Sequence, residues 1–212
     1  MKIRTRVKIC GITRPEDGYE AARLGVDAIG LVFYPKSPRH VTIEQAKSIC
    51  QALPGFVTFV SLFLDADADM VKHVIDDIPI DLIQFHGNET AEFCESFKRP
   101  YIKALGMSGN NQLQQQAQQY AKAKALLLDS HAVGKAGGTG ETFDWKSVPT
   151  EQTQAIILAG GLTPDNVAQA IQQVRPFGVD LSSGVEAKPG IKDAAMMAQL
   201  IKEVRRVDCE DD

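Results

Sequence analysis

The stretch Ala155-Ile-Ile-Leu-Ala-Gly-Gly-Leu162, joined by a helical pattern to Gly178-Val-Asp-Leu-Ser-Ser-Gly184, decides the fold. Each half is a short apolar run that ends in a turn of small residues, Gly160-Gly161 in one and Ser182-Ser183-Gly184 in the other. Glycine turns leave backbone N–H groups open to an anion, and a helix N-terminus adds partial positive charge, so the pattern indicates a phosphate site. The alternative is that these glycines only form tight turns between strand and helix.

Two such units in succession favour phosphate binding if six similar units precede them, because a (β/α)8 barrel holds phosphate after strands seven and eight. Six further apolar runs do precede them, and the predicted strands are 6–11, 27–34, 56–64, 82–87, 101–105, 125–129, 155–159 and 178–181. The predicted helices are 13–24, 43–53, 68–78, 90–97, 110–123, a short one at 143–148, 163–174 and 193–207. Each unit then has about 26 residues, which suits a compact barrel.

The first helix shows the clearest end signals. Thr13 is predicted to be its N-cap, with Pro15 and Glu16 in the first turn, and Gly25 is predicted to follow its last turn. No linker or change of composition separates the eight units. We therefore predict an α/β fold, a single (β/α)8 TIM barrel with a parallel eight-stranded core, in one domain spanning residues 1–212.

A doubly wound open sheet is the alternative to a barrel. Such a sheet usually has fewer strands, and its nucleotide-binding G-x-G-x-x-G follows the first strand, where this chain has none. The later loop Gly134-Lys-Ala-Gly-Gly-Thr-Gly140 matches neither that motif nor the P-loop spacing. We interpret this loop as a flexible lid beside the sixth strand.

Composition narrows the function classes. Hydrophobic residues make up 44% and charged residues 24% of the 212 positions, as in an ordinary globular protein. The net charge of −4 does not suit nucleic-acid binding, which favours a basic stripe. The N-terminus lacks the apolar core of a signal peptide, and no run approaches the ~18 apolar residues of a membrane span. We expect a cytoplasmic protein with neither nucleic acid nor membrane as a partner.

Cysteine spacing and acidic residues give no sign of a metal site. The four cysteines are far apart and form no C-x-x-C pair, so neither disulfides nor zinc are expected; they are Cys10, Cys50, Cys94 and Cys209. No H-E-x-x-H motif or carboxylate cluster is present either. We predict that the protein binds no metal.

In a barrel, catalytic groups lie at the carboxyl ends of the strands and in the loops that follow. This rule selects six polar or reactive residues: Cys10, Arg39, Gln84, His86, Asp129 and Asp180. A cysteine such as Cys10 is more often a small buried hydrophobe, but its place before Gly11 at the barrel mouth favours catalysis. Asp129 follows three leucines, and burying a carboxylate at the end of such an apolar strand costs free energy unless it has a partner or a catalytic role. The alternative is that Asp129 caps the next loop.

The remaining candidates allow more than one interpretation. Arg39 lies in a loop stiffened by prolines, and its planar fork suits a substrate carboxylate, although a surface arginine would be ordinary. His86 is equally consistent with a structural histidine at a strand end. Asp180 could bind ligand or hold loop backbone.

Several separate motifs resemble those of phosphoribosylanthranilate isomerases, over nearly the whole chain. The motifs are Lys8-Ile-Cys-Gly11, Lys36-Ser-Pro-Arg39, Gln84-Phe-His-Gly87, Leu128-Asp-Ser130, Gly137-Gly-Thr-Gly140, Phe143-Asp-Trp145, Leu158-Ala-Gly-Gly-Leu162 and Val179-Asp-Leu-Ser-Ser-Gly-Val-Glu186. Phe85 and Leu181 replace a more usual Leu and Val, and both changes keep an apolar residue.

The resemblance implies an Amadori rearrangement of a phosphorylated aminosugar in tryptophan biosynthesis. Cys10 would be the general base, Asp129 the general acid, and Arg39 the group that binds the anthranilate carboxylate. The phosphate would be held by Gly160, Gly161, Ser182, Ser183 and Gly184, with Gln84, His86 and Asp180 as further substrate-binding residues. The family needs no cofactor, and either a monomer or a homodimer is expected.

Two other functions compete with this one. The related barrel of histidine biosynthesis performs the same rearrangement on another aminoaldose phosphate, but it is expected to carry Asp at the end of strand one, where this chain has Cys10. A non-catalytic phosphate-binding barrel is the other alternative. Cys10, Arg39 and Asp129 together at the mouth argue against it.

Overall fold

A closed barrel of eight parallel strands forms the centre of the computed structural model, which describes residues 4–107, 113–130, 142–149 and 154–210. The strands follow chain order around the barrel, and β8 pairs with β1 to close it. The predicted (β/α)8 barrel is confirmed. The strands are β1 Arg6–Cys10, β2 Ala28–Val32, β3 Thr58–Phe63, β4 Leu82–Phe85, β5 Tyr101–Gly106, β6 Ala125–Asp129, β7 Ala155–Leu158 and β8 Gly178–Leu181.

Helices cover the outside of the barrel and pack on a continuous apolar core. They are α1 Pro15–Leu24, α2 Ile43–Ala52, α3 Ala68–Asp77, α4 Ala91–Ser96, α5 Leu113–Gln119, α6 Val167–Val174 and α7 Ala194–Glu210. Between β6 and β7 the described residues contain a 3-10 turn, Trp145–Ser147, where a short or degenerate helix was predicted at 143–148. The predicted lid, 134–140, lies outside the described residues.

Four predicted helix ends were wrong, the last of them at α7, which continues to Glu210 instead of ending at 207. Thr13 does not cap α1, because Arg14 occupies the N-cap position and the Thr13 hydroxyl instead donates to the Gly190 carbonyl. α6 begins at Val167 instead of Thr163, since the Thr163 N–H is taken by the Asn166 side chain in a preceding turn. α5 ends at Gln119 and not at 123. By contrast, Gly25 does end α1 in the left-handed conformation, as predicted.

A small antiparallel sheet after β8 was not predicted from the sequence. It consists of β9 Glu186–Lys188 and β10 Ile191–Lys192, joined by a turn at 189–190. The Pro-Gly pair at 189–190 is an ordinary turn signal that could have indicated it. This hairpin lies beside the barrel mouth, and two of its charged side chains, Glu186 and Lys192, form an ion pair.

Alternation along the strands decides which side chains face the barrel interior. Side chains two residues apart share a face of a strand, so Lys8 and Cys10 both point inward from β1. The interior is filled by small apolar clusters, including Val60 with Ile102 and Ala125, and Ala104 with Leu127 and Ala159. Polar residues are concentrated at the carboxyl end of the barrel. Among the described helices, none combines the length and apolar character that a membrane crossing requires.

Candidate active site

A cavity opens at the carboxyl ends of the strands. It brings together every residue predicted for the site: Cys10, Arg39, Gln84, His86, Asp129, Gly160, Gly161, Asp180, Ser182, Ser183 and Gly184. Apolar residues complete the wall, among them Val32, Leu62, Leu64 and Leu162. Such a cavity, apolar with a few convergent polar groups, suits a small organic ligand.

The Cys10 thiol lies at the end of β1, opposite Gly30 on β2. A Cβ atom at Gly30 would lie 2.7 Å from Cys10 Sγ and 3.1 Å from Lys8 Nζ. Real Cβ atoms do not come as close as 2.7 Å to another heavy atom, so glycine at this position leaves space for the thiol where it lies. Lys8 thus lies directly beside Cys10, although the sequence analysis did not select it.

The groups around Cys10 shift the pKa of its thiol in opposite directions. Burial raises the pKa of the Cys10 thiol, the Lys8 ammonium lowers it, and the Asp180 carboxylate raises it again. Lys8 Nζ donates to Asp180 Oδ1 at 2.8 Å, and both side chains are buried. Burial opposes the charge on Lys8, but Asp180 and Cys10 outweigh it and raise the Lys8 pKa. Asp180 therefore forms a buried ion pair beneath the thiol.

Asp129 ends β6 and belongs to a short polar chain across the barrel. His86 Nε2 lies 3.8 Å from Asp129 Oδ2, and His86 Nδ1 is 3.1 Å from Gln84 Nε2. If Nδ1 accepts from the Gln84 amide, a neutral His86 carries its proton on Nε2, the nitrogen that faces Asp129. The three side chains predicted separately from strands four and six are thus neighbours.

The two glycine turns follow β7 and β8 and form the part of the cavity wall between Asp129 on β6 and Cys10 on β1. Gly160 and Gly161 have positive φ angles of 79° and 63°. Within the described part of the chain, their amides donate to no other residue. A Cβ atom at Gly160 would lie 2.3 Å from the Ser130 nitrogen, and one at Gly184 would lie 1.9 Å from the Leu162 carbonyl oxygen. Backbone N–H groups at turns of this kind can converge on an anion.

Arg39 reaches the cavity from the loop after β2 by passing over Gly11. A Cβ atom at Gly11 would lie 2.6 Å from Arg39 Cδ, so glycine is needed for this path. Arg39 Nε and Nη2 donate to Glu186 Oε1 and Oε2, each at 2.8 Å. Glu186 was missed as a site residue, because its partner lies 147 positions away in the sequence.

Metal ligation has no support in the described residues. No group of three or more His, Cys, Asp or Glu side chains is arranged there to hold a metal ion. The cations near the cavity belong to Lys8, Arg39 and Lys192.

Comparison with known proteins identifies the family. A model of the family described as N-(5'phosphoribosyl)anthranilate (PRA) isomerase matches residues 7–203. This chain belongs to the phosphoribosylanthranilate isomerase family. The N-(5'-phosphoribosyl)anthranilate isomerase of Nitrosococcus oceani is 53% identical over 205 residues, which are 97% of this chain and 100% of that protein. The resemblance found in the sequence motifs is therefore confirmed, and the chain is an isomerase of tryptophan biosynthesis.

Solved structures agree with this family assignment. A phosphoribosyl anthranilate isomerase in complex with reduced 1-(o-carboxyphenylamino)-1-deoxyribulose 5-phosphate has a TM-score of 0.84 and 38% identity, covering 95% of this chain and 99% of that one. Monomers generated from the dimeric enzyme of Thermotoga maritima have a TM-score of 0.84 and 37% identity, with the same coverage.

Proposed function

We propose that this chain converts N-(5-phosphoribosyl)anthranilate to 1-(2-carboxyphenylamino)-1-deoxyribulose 5-phosphate, with Cys10 as general base and Asp129 as general acid. The observation that carries the proposal is that one and the same cavity is lined by Cys10, Asp129, Arg39 and both glycine turns. A relative of the same fold binds the reduced form of this product, which adds support.

The rearrangement requires one acid and one base on opposite sides of the sugar. The acid protonates the ribose ring oxygen, and the ring opens to an iminium. The iminium acidifies the proton on the neighbouring C2, which the base removes to give an enolamine that relaxes to the ketone. Because the iminium of the substrate accepts the electron pair, the reaction needs no cofactor. Acid–base groups of this kind contribute about 10²–10⁴-fold to a rate.

The acid and the base must begin in opposite protonation states. A free thiol has a pKa of about 8.5 and a free aspartic acid one of about 3.9. At neutral pH the thiol would therefore hold its proton and the aspartic acid would have lost its own, which is the reverse of what the reaction requires. Two anions that face each other favour sharing one proton, so in a fraction of the molecules Asp129 would hold that proton while Cys10 is a thiolate. Lys8 stabilises the thiolate from beneath, and Lys192 acts in the same direction.

The rest of the cavity would hold the two ends of the substrate. The phosphate would bind at Gly160, Gly161, Ser182, Ser183 and Gly184, and the anthranilate carboxylate at Arg39. Gln84 and His86 would line the ribose, and Asp180 would act through Lys8. Binding energy from the distant phosphate then positions the reacting carbons between base and acid.

The direct test follows the fluorescence decay of freshly made phosphoribosylanthranilate with and without the protein. We expect an accelerated decay, with much less turnover of the aminoaldose phosphate of histidine biosynthesis. Binding of the substrate without acceleration would instead support a non-catalytic phosphate-binding barrel. Preferential turnover of the histidine precursor would favour the other isomerase.

The activity should depend on pH through the Cys10 thiol. The active form keeps one proton on the Cys10–Asp129 pair, so kcat/KM should fall at high pH as the pair loses this proton, and burial of the Cys10 thiol raises the apparent pKa of that loss. Lys8→Met removes a charge that lowers the Cys10 pKa, so the fall should move to higher pH. Asp180→Asn removes a charge that raises it, so the fall should move to lower pH. A pH–rate profile that shifts in the same direction in both variants would contradict this assignment.

A homodimer is the proposed assembly. Phe56 is 109% exposed and has a φ of 72°, which is unusual for a bulky residue and holds the ring out in solvent. Phe56 lies in the loop before β3, at the amino end of the barrel, so a contact between two subunits through this loop would leave the cavity open. Light scattering should give a dimer mass for the native protein and a monomer mass for Phe56→Ser, with exposed Tyr19→Ser as the control. A monomeric native protein at all concentrations would contradict the proposal.

A further inference from the structure

Glu186 lies between two cations, Arg39 and Lys192, of which Arg39 lines the cavity. Its carboxylate accepts from Arg39 through both oxygens at 2.8 Å, and Oε1 also accepts from Lys192 Nζ at 2.8 Å. The side chains of Glu186 and Lys192 are 4% and 0% exposed, and that of Arg39 is 12% exposed. The cluster therefore combines one negative and two positive charges, almost out of contact with water.

The second cation explains how a paired arginine can still attract an anion. Arg39 and Glu186 alone would be neutral together, whereas Lys192 gives the cluster one positive charge in excess. Burial would raise the pKa of Glu186, but hydrogen bonds from Arg39 and Lys192 outweigh it and lower the pKa. Burial lowers the pKa of Lys192, and the nearby Glu186 carboxylate opposes this by favouring the charged form.

The pairing also leaves one edge of the guanidinium available. Glu186 occupies Nε and one hydrogen of Nη2, which fixes the plane of the Arg39 fork. In the described part of the chain, Nη1 donates to no acceptor. The Nη1–Nη2 edge is suited to a second carboxylate in the bidentate geometry that arginine favours.

The same cluster is tied to both other parts of the site. Lys192 Nζ donates to the Ser182 carbonyl oxygen at 3.1 Å, and Ser182 Oγ donates to the Cys10 carbonyl oxygen at 3.1 Å. The orientation of Arg39 is therefore coupled to one phosphate turn and to the strand end that carries the thiol.

We propose that Glu186 is a positioning residue, which with Lys192 aims the Nη1–Nη2 edge of Arg39 at the carboxylate on the aromatic ring of the substrate. The identity of that carboxylate rests on the proposed function. The competing possibility is that Glu186 only occupies Arg39 when the cavity is empty and competes with the ligand. The two roles predict opposite effects when the Glu186 charge is removed.

The test compares two ligands by titration calorimetry. One is reduced 1-(o-carboxyphenylamino)-1-deoxyribulose 5-phosphate, and the other is the same molecule without the ring carboxylate. The Kd of the ligand without the ring carboxylate, divided by the Kd of the ligand with it, measures what the carboxylate contributes to binding. In Glu186→Gln this ratio should fall by about tenfold, the usual value of a charge-assisted hydrogen bond, while the Kd of the ligand without the carboxylate stays within about twofold. In turnover, KM should rise with little change in kcat.

An unchanged ratio in Glu186→Gln would overturn the proposal. A larger ratio would also overturn it. If Glu186 competed with the ligand, removing its charge would free Arg39 to bind the ligand carboxylate more tightly. Glu186→Asp keeps the charge but shortens the reach, so its ratio should also fall; it serves if the glutamine variant does not fold. Lys192→Met leaves a neutral pair and should lower the ratio as well.

Glu89→Gln is the matched control. Glu89 forms another buried ion pair, with Lys103 Nζ at 3.0 Å, and does not contact Arg39. This variant should lose stability with no change in the Kd ratio. If the native protein itself fails to accelerate the substrate and shows no preference for the carboxylate ligand, the proposed function fails. If the native protein does both and Glu186→Gln keeps the ratio, only the positioning role fails.

Discussion

Cys10→Ser and Asp129→Asn should each lower kcat by at least about a hundredfold, within the range that acid–base groups contribute. Serine keeps the size of the side chain, but its hydroxyl does not ionise near neutral pH and so cannot act as the base. Asparagine keeps the shape of Asp129 but has no acidic proton for the ring oxygen. Substrate binding should be nearly retained, because neither residue holds the phosphate or the carboxylate. Steady-state kinetics should therefore show the loss in kcat with KM changed only a few-fold.

Cys209→Ser is the control for the cysteine change, since Cys209 is exposed and far from the cavity. It should leave kcat unchanged. The Kd of the reduced product in Cys10→Ser checks that the cavity is intact. Near-normal turnover by Cys10→Ser would rule out the thiol as base.

Gly184→Ala should weaken phosphate binding by at least about tenfold and lower the free energy of unfolding by about 1–3 kcal/mol, the usual cost of overpacking. The added methyl group would lie 1.9 Å from the Leu162 carbonyl oxygen, and a backbone atom has little freedom to move away. The turn would therefore have to shift as a whole. KM should rise, and inhibition by inorganic phosphate should weaken in parallel.

Gly55→Ala is the matched control for this change, because a Cβ atom there would meet nothing within 4 Å. It should leave KM unchanged and the free energy of unfolding nearly so. If Gly184→Ala bound phosphate ligands as well as the native protein, this turn would not be the phosphate site.

Residues whose role follows from position in a strand could be predicted from the sequence. The barrel, the end of each strand and the set of residues in the cavity depend on local patterns: apolar runs, alternation and glycine turns. Cys10 and Asp129 could be selected as candidates because each ends an apolar run, and both line the cavity. Such patterns are contained within a few residues of sequence.

Residues whose role depends on a distant partner could not be predicted in this way. Lys8 pairs with Asp180, 172 positions away, and Arg39 pairs with Glu186, 147 positions away. No local pattern connects these residues before the barrel is closed. The wrong cap at Thr13 has the same cause, since its hydroxyl is bound by the carbonyl of Gly190, a remote hairpin residue.

Closure of the barrel between β8 and β1 has a consequence for the order in which the protein becomes functional. The ion pair beneath the thiol, the Ser182 contact to Cys10 and the cluster around Arg39 all join the first two units to the last one. During synthesis Cys10, the proposed general base, is therefore made before Asp180, Ser182 and Glu186, and these contacts can form only after the eighth unit has been made.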